Sequence, residues 1–337
     1  MKHLINTLVF LTIIFSFIES NSQNSHVIES VLSDEQNTLF VRQNSTYTNN
    51  STKKISKILI YDWNNSYSSM NTPLSKKLYS EYDSSILKST LSERGKTVIP
   101  KILVNNRVVS WQRIINHEDL IEIKLNKELD VNQKVEILFE YKLFIPSFIL
   151  NYGAKNNYIN LKNCFFRFTP LLDDEPLVFS NLALDDQFFV KSNIKLKIEY
   201  DSKFNSITNL NKESSETNKH IVTDNYLGKD VKDLFLILTQ NSDFENIKIN
   251  KLNIYSNSNK IFSLKKPNLE NVSNFLDDYF PYHNLKKIVI DENDFKNNSL
   301  YPYSEIPEFL DPFSENNLNE INFVKNLINS ILSNSLN

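Results

Sequence analysis

The sequence predicts a mainly β chain, an antiparallel β-sandwich, with a C-terminal α/β portion. Two observations carry this. Apolar and polar residues alternate with period two in one run after another as far as about residue 255, so each strand has one buried and one wet face. After about residue 265 the apolar spacing becomes helical: Leu269, Val272, Phe275, Leu276 and Tyr279 share one stripe. Of the 337 residues, 40% are hydrophobic and 12% aromatic, enough for a substantial core.

The elements follow in order. Lys2 and His3 precede an apolar run from Leu8 to Ile18, followed by Ser20, Ser22 and Gln23. That run matches a signal-peptide core and is too short for an ordinary membrane span. Residues 1–22 are therefore expected to be removed near Ser22–Gln23, leaving an exported chain with no membrane span. Residues 23–55 are polar and read as a weakly ordered leader, with an early strand at Asn37–Arg42. A β domain is expected over 56–262 and an incomplete α/β region over 263–337. Lys57–Tyr61 is a β-branched run. Leu120–Leu125 and Lys134–Leu143 alternate on either side of a turn at Asp130–Gln133, which predicts a hairpin. Asn193–Tyr200, Asp233–Leu238 and Ile247–Tyr255 are further strands. Thr72 is a cap and Pro73 a first-turn residue for a helix carrying Leu74, Leu78 and Tyr82. Pro267 precedes the later helix, and Leu285–Asp291 reads as a short buried strand. Residues 317–336 place Leu318, Ile321, Val324 and Ile331 on one helical stripe, a surface for a peptide or protein partner.

Composition excludes several activities. Only Gly95, Gly153 and Gly228 are present, too far apart for a phosphate-binding loop, a dinucleotide fingerprint or a nucleophile elbow. Asparagine is abundant, which we read as compositional bias rather than chemistry. Cys164 is the one cysteine, so no internal disulfide forms and no cysteine zinc cluster exists; its aromatic neighbours mark it as a buried small residue. A net charge of −3 offers no basic field for nucleic acid. His117-Glu118 begins like a zinc helix, but the second histidine is missing, and His117 reads as a surface loop residue. His26, His220 and His283 stand alone. Asp173-Asp174-Glu175 and Asp185-Asp186 are read as solvated turn residues rather than a calcium loop. A Ser-His-Asp set assembled in space stays open. Trp63 and Trp111 suit either a sugar platform or core packing.

Tyr61-Asp-Trp-Asn-Asn-Ser-Tyr67, Thr72-Pro-Leu-Ser-Lys-Lys77, Glu93-Arg-Gly-Lys-Thr97, Trp111-Gln-Arg113, Phe168-Thr-Pro170, Phe179-Ser-Asn181, Leu184-Asp-Asp186 and Phe280-Pro-Tyr282 follow one another along the chain. Taken in order, these segments resemble the aminopeptidase N family of secreted bacterial zinc metallopeptidases. The resemblance implies a saddle-like β-sandwich followed by a thermolysin-like segment. It also implies a Gly-x-Met-Glu-Asn loop that binds the substrate amine, and a His-Glu-x-x-His helix. The corresponding stretch, Asn298–Pro307, has neither glycine nor methionine, and Glu305 is its one candidate for the amine-binding carboxylate. The helix that follows, Ile321–Ile331, has no histidine. The expectation is thus a non-catalytic peptide- or protein-binding relative with no catalytic residue, no metal ligand and no cofactor. Zinc enters only if the chain continues beyond Asn337, as the front of an active zinc aminopeptidase. An unrelated carbohydrate-binding module is the third reading.

Overall fold

The computed structural model describes residues 24–33, 37–147, 149, 152–182, 189–240, 244–250, 252–257, 266–279 and 287–290. The signal segment, Asp185-Asp186, His283, Glu305 with its loop, and the 317–336 stripe lie outside these residues.

The largest sheet has eight strands. They are β1 (Asn24–Ser33), β2 (Thr38–Thr48), β4 (Lys96–Val104), β5 (Arg107–Val108), β8 (Lys134–Phe144), β14 (Ser192–Asp201), β16 (Asn211–Asn218) and β17 (Ile221–Val231). Their order is β16-β17-β14-β1-β2-β8-β4-β5, and every pair is antiparallel except β1 with β14. A second sheet orders β11 (Arg167–Phe168), β3 (Ile55–Tyr61), β7 (His117–Leu129) and β6 (Trp111–Ile114). A third orders β15 (Asn205–Ile207), β18 (Ile237–Thr239), β10 (Tyr158–Asn160) and β9 (Gly153–Lys155), and β12 (Leu171–Leu172) pairs with β13 (Glu175–Pro176). The first three sheets enclose one core. Ile28, Leu39, Phe139 and Leu196 of the large sheet meet Ile58, Ile60, Ile121 and Ile123 of the second and Ile159 and Leu238 of the third. This is the expected sandwich.

The outer face of the large sheet is kept wet by alternating charge. Glu29 lies in register between Arg42 and Lys197, Arg42 opposite Glu140, and Glu140 opposite Lys101. Opposite-charge neighbours stabilise the face by a few tenths of a kcal/mol per pair, roughly 0.2–1.

Helix α1 (Pro73–Ser80) begins as expected. Thr72 Oγ1 accepts from Ser75 N at 3.2 Å, and Leu74 and Leu78 are buried. Tyr82, expected on the same stripe, is instead fully exposed past the helix end with φ 64°. A second short helix, α2 (Ser85–Lys88), follows. Beyond the sandwich, β19 (Glu245–Ile249) and β20 (Leu252–Ser256) form a hairpin, so the single strand expected over Ile247–Tyr255 is two. Asn250, at φ 50°, makes the turn between them. Helix α3 (Lys266–Tyr279) and β21 (Lys287–Ile290) complete a β-α-β unit, with β21 parallel to β20. Pro267 sits inside the first turn of α3 rather than before it, where its missing N–H has no helical partner to lose.

Two further expectations are corrected. Leu120–Leu125 and Lys134–Leu143 are consecutive strands but not a hairpin: β7 pairs with β3 and β6, β8 with β2 and β4. The chain crosses between sheets at this turn. Asn49 holds the corner, its Nδ2 donating to Leu129 O at 3.0 Å and its backbone exchanging bonds with Asn132 and Gln133. The supposed leader, residues 23–55, supplies β1 and β2 in the middle of the large sheet. Deleting residues 24–48 removes Ile28, Leu32, Leu39, Val41 and Tyr47 from the core. At about 2 kcal/mol per side chain this loses about 10 kcal/mol, comparable with a whole domain's stability. The deletion variant is expected to show no cooperative thermal transition by circular dichroism; a sharp melt would refute the central role of this hairpin.

Candidate functional site

Polar side chains of the reactive types concentrate where β7 begins. Asn116, at φ 64°, turns the chain from β6 into β7. Backbone bonds then fix the first residues of β7: Asp62 N donates to Asp119 O at 2.7 Å, and Glu118 O accepts from Asn65 Nδ2 and Arg113 Nη1, both at 2.7 Å. Asp62 is fully buried. Its Oδ2 accepts from Arg113 Nη2 at 2.7 Å and its Oδ1 from Thr97 Oγ1 at 2.7 Å. Burial raises its carboxyl pKa, against the opposing pull of Arg113 and Thr97. Gly95 is required here: a Cβ would stand 2.6 Å from Asn64 O.

On this support lie His117, Asp119 and Ser180. Ser180 Oγ donates to Asp119 Oδ1 at 2.5 Å, and Asn181 N reaches Asp119 Oδ2 at 3.3 Å. With the hydroxyl proton committed to Asp119, His117 Nδ1 is the donor in its 2.8 Å bond to Ser180 Oγ. The order is therefore His–Ser–Asp. In a hydrolase the imidazole sits between the other two and takes the serine proton. Here the serine is in the middle and its lone pair is occupied, and Ser180 and Asp119 are both buried. The trio is a clasp, not an activated nucleophile.

The clasp fixes Ser180 and Asn181 against the start of β7. Phe189 and Val190 are held by contacts of their own. Phe189 meets Tyr61 edge-on at 5.5 Å and Val190 O accepts from Arg167 Nη2 at 2.8 Å. Tyr61, Leu120 and Phe189 form a small apolar cluster of their own, separate from the main core. Arg167 is buried, also donates to Val231 O at 2.8 Å, and is lowered to about 10 by burial.

Of the residues singled out in the sequence, His117 is half-buried and bonded at a strand start, not in a surface loop. Cys164 is fully buried, as expected. Asp173 and Asp174 make the exposed β12–β13 turn with positive φ, and Glu175 pairs with Lys53 at 2.8 Å. Among the described residues, no group of three His, Cys, Asp or Glu side chains is placed to hold a metal. Trp63 is buried edge-on to Tyr67, which removes it as a sugar platform, and Trp111 is half-buried and packs against the core. Asp119 and Ser180 were not legible as partners, because 61 positions separate them. The only sequence signal was a set left open.

Burial pushes the Asp119 carboxyl up to about 6, against the opposing effects of Ser180, Asn181 and His117. The folded chain then holds this proton to higher pH than the unfolded chain. Its stabilising contribution is complete below about pH 4 and is lost as pH rises through about 6, up to about 3 kcal/mol. Urea titrations from pH 4.5 to 7.5 are expected to show this slope, and Asp119→Asn to flatten it. An unchanged slope in the variant would remove Asp119 as its source. Ser180→Ala deprives buried Asp119 of its nearest donor and is expected to cost about 1–3 kcal/mol at pH 7 by the same titration. A fluorophosphonate probe is expected to leave Ser180 unlabelled in the native protein.

No family profile matches the sequence, and no curated protein matches it. Solved structures do. An M1 zinc metallopeptidase from Deinococcus radiodurans superposes with a TM-score of 0.47 at 8% identity. A point mutant of that enzyme gives 0.48 at 9%, and the mutant bound to a Tyr-Ser-Ala substrate gives 0.47 at 9%. Each match covers 80% of this chain and 56% of the other, so the chain spans little more than half the length of the proteins it matches.

Proposed function

We propose that this is an exported protein of the aminopeptidase N type that binds peptides or proteins rather than hydrolysing them. The observation that carries the reading is the histidine distribution. The 337 residues contain five histidines, at positions 3, 26, 117, 220 and 283. A gluzincin needs two of them on one helix, four positions apart, with a glutamate between. No pair here has that spacing. His26 is buried between the sheets, bonded to Ser45 Oγ at 2.8 Å, and His117 belongs to the clasp. Without two imidazoles and a base, no first shell lowers the pKa of a metal-bound water.

The family relation is supported by the ordered motifs of the sequence and by where four of them fall. Asp62 and Trp63 are buried at the end of β3, Thr72-Pro73 caps α1, Gly95 passes against Asn64, and Arg113 pairs with Asp62. Each is a position where substitution would cost the fold. The sandwich is followed in the chain by a β-α-β unit. The partner contact is assigned to the stripe of Leu318, Ile321, Val324 and Ile331, with Glu305 as the candidate carboxylate for a ligand amine. A second reading, the front of an active zinc aminopeptidase, is separated from the first by the native mass.

The test uses the full chain. Purified from the exported fraction, it is expected to begin at Gln23 by intact mass, to carry no stoichiometric zinc by plasma mass spectrometry, and to release no coumarin from aminoacyl-coumarin substrates. Stoichiometric zinc with amino-acid release would overturn the binding reading. A native product larger by tens of kilodaltons would favour the second reading.

A further inference from the structure

Helices α1 and α2 leave an apolar surface that the fold does not cover. Along residues 70–91 five large side chains stay exposed: Met70, Tyr79, Tyr82, Leu87 and Leu91. Such residues grouped on a surface mark a contact site. Met70, Tyr79 and Leu87 wall a cleft of about 290 Å³ above the buried Ile86. Its polar side chains divide into two kinds. Ser75 Oγ donates to Ser69 O at 2.5 Å and meets Thr72 Oγ1 at 2.8 Å. Asp83 is turned to α2, its Oδ1 accepting from Ser85 N at 2.7 Å and from the Ser85 hydroxyl. Both are engaged within the protein. Lys76 Nζ and Tyr79 OH have no hydrogen-bond or ion-pair partner among the described residues, whereas the adjacent Lys77 pairs with Glu81 at 2.5 Å. Lys76 and Tyr79 stand three positions apart on α1, so they are neighbours on one helix face. The cleft is thus an apolar slot with one free cation and one free hydroxyl on the same wall.

We propose that this cleft binds a medium-chain fatty acid, its chain against Met70, Ile86 and Leu87 and its carboxylate on Lys76 Nζ and Tyr79 OH. Size sets the chain length. At about 30 Å³ per water-sized group the cleft holds about ten such groups, the length of an eight- to ten-carbon acid. Polar supply sets the class. A peptide brings an N–H and a C=O at each residue, and every one that is buried needs a partner. The cleft offers only Lys76 and Tyr79, both on one wall, because Ser75 and Asp83 are already engaged. A fatty acid is polar at one end alone, and that end accepts two donors. The free charge is positive, so the head is a carboxylate rather than an ammonium group. The Lys76 stem can lie along the apolar wall while its ammonium stays in water at the rim.

Binding of decanoate, kept below its micellar concentration, to the full chain is measured by isothermal titration calorimetry at low ionic strength. One site per chain is expected. Decanol keeps the chain and lacks the charge, and is expected to bind about tenfold more weakly. Lys76→Met keeps the stem and loses the charge. It is expected to bring decanoate down to the level of decanol, about tenfold, with decanol affinity and melting temperature unchanged. Leu87→Asn, at an exposed position, is expected to weaken both ligands together. An apolar tripeptide with a free carboxylate is expected not to displace decanoate. Uptake without saturation, a decanoate-to-decanol ratio unchanged by Lys76→Met, or displacement by the tripeptide would overturn the proposal.

Discussion

The sandwich depends on one parallel contact. In an otherwise antiparallel sheet, β1 lies parallel to β14, joining Asn24–Val31 to Ser192–Glu199. The β1–β2 hairpin thereby fills the gap between β14 and β8. Without it the sheet divides into β16-β17-β14 and β8-β4-β5, each with a raw edge. A parallel pair needs a crossover, and here the crossover is most of the domain. The large sheet therefore closes only when the chain near residue 200 has been made and has found residue 24. Such long-range pairing places the loop-closure cost before the stabilising contacts.

That arrangement explains why the sequence signals a weakly ordered leader here, with only Asn37–Arg42, at the start of β2, reading as a strand. Strands are recognised by alternating apolar residues, and the inward positions of this hairpin are half polar. Asn24, His26 and Ser30 of β1 and Gln43 and Ser45 of β2 are buried alongside Ile28, Leu39 and Val41. They are tolerated because they satisfy one another. Gln43 Nε2 donates to Phe166 O at 2.8 Å, Tyr141 OH donates to Gln43 Oε1 at 2.7 Å, and His26 reaches Ser45. The partners come from β2, β8 and the segment before β11, so no local window contains them. Burial, and then the charge of Arg167, accordingly keep His26 well below the usual histidine range. By contrast, β8 and β14 alternate cleanly and were legible, because their inward residues are almost all apolar.

Asparagine, read as compositional bias, has a structural role. Among the described residues thirteen non-glycine positions have positive φ, and eleven of them are Asn or Asp. A chain with three glycines still needs left-handed turns, and asparagine tolerates that conformation best among the rest. Asn105-Asn106, with φ 47° and 63°, links β4 to β5 in the two-residue geometry normally made by Asn-Gly. The hairpin expected at Asp130–Gln133 shows the converse. The turn was legible, with Asn132 at φ 61°, but the sheet each strand would join was not. Turn chemistry is local; sheet membership is decided by Asn49, some 80 residues away.

Two buried aspartates show how the donors around a carboxyl decide its state. Both carboxylates are desolvated, which alone raises a pKa. Asp119 receives hydroxyl and amide donors and only the smallest opposing contribution from the charge of His117, and remains at about 6. Asp224 is also raised by burial, but Lys212, Ser206 and Tyr200 together bring it down to about 2. Asp224 is thus held as an anion by its neighbours, whereas Asp119 keeps its proton up to about pH 6. The clasp therefore responds to mild acid by holding more firmly.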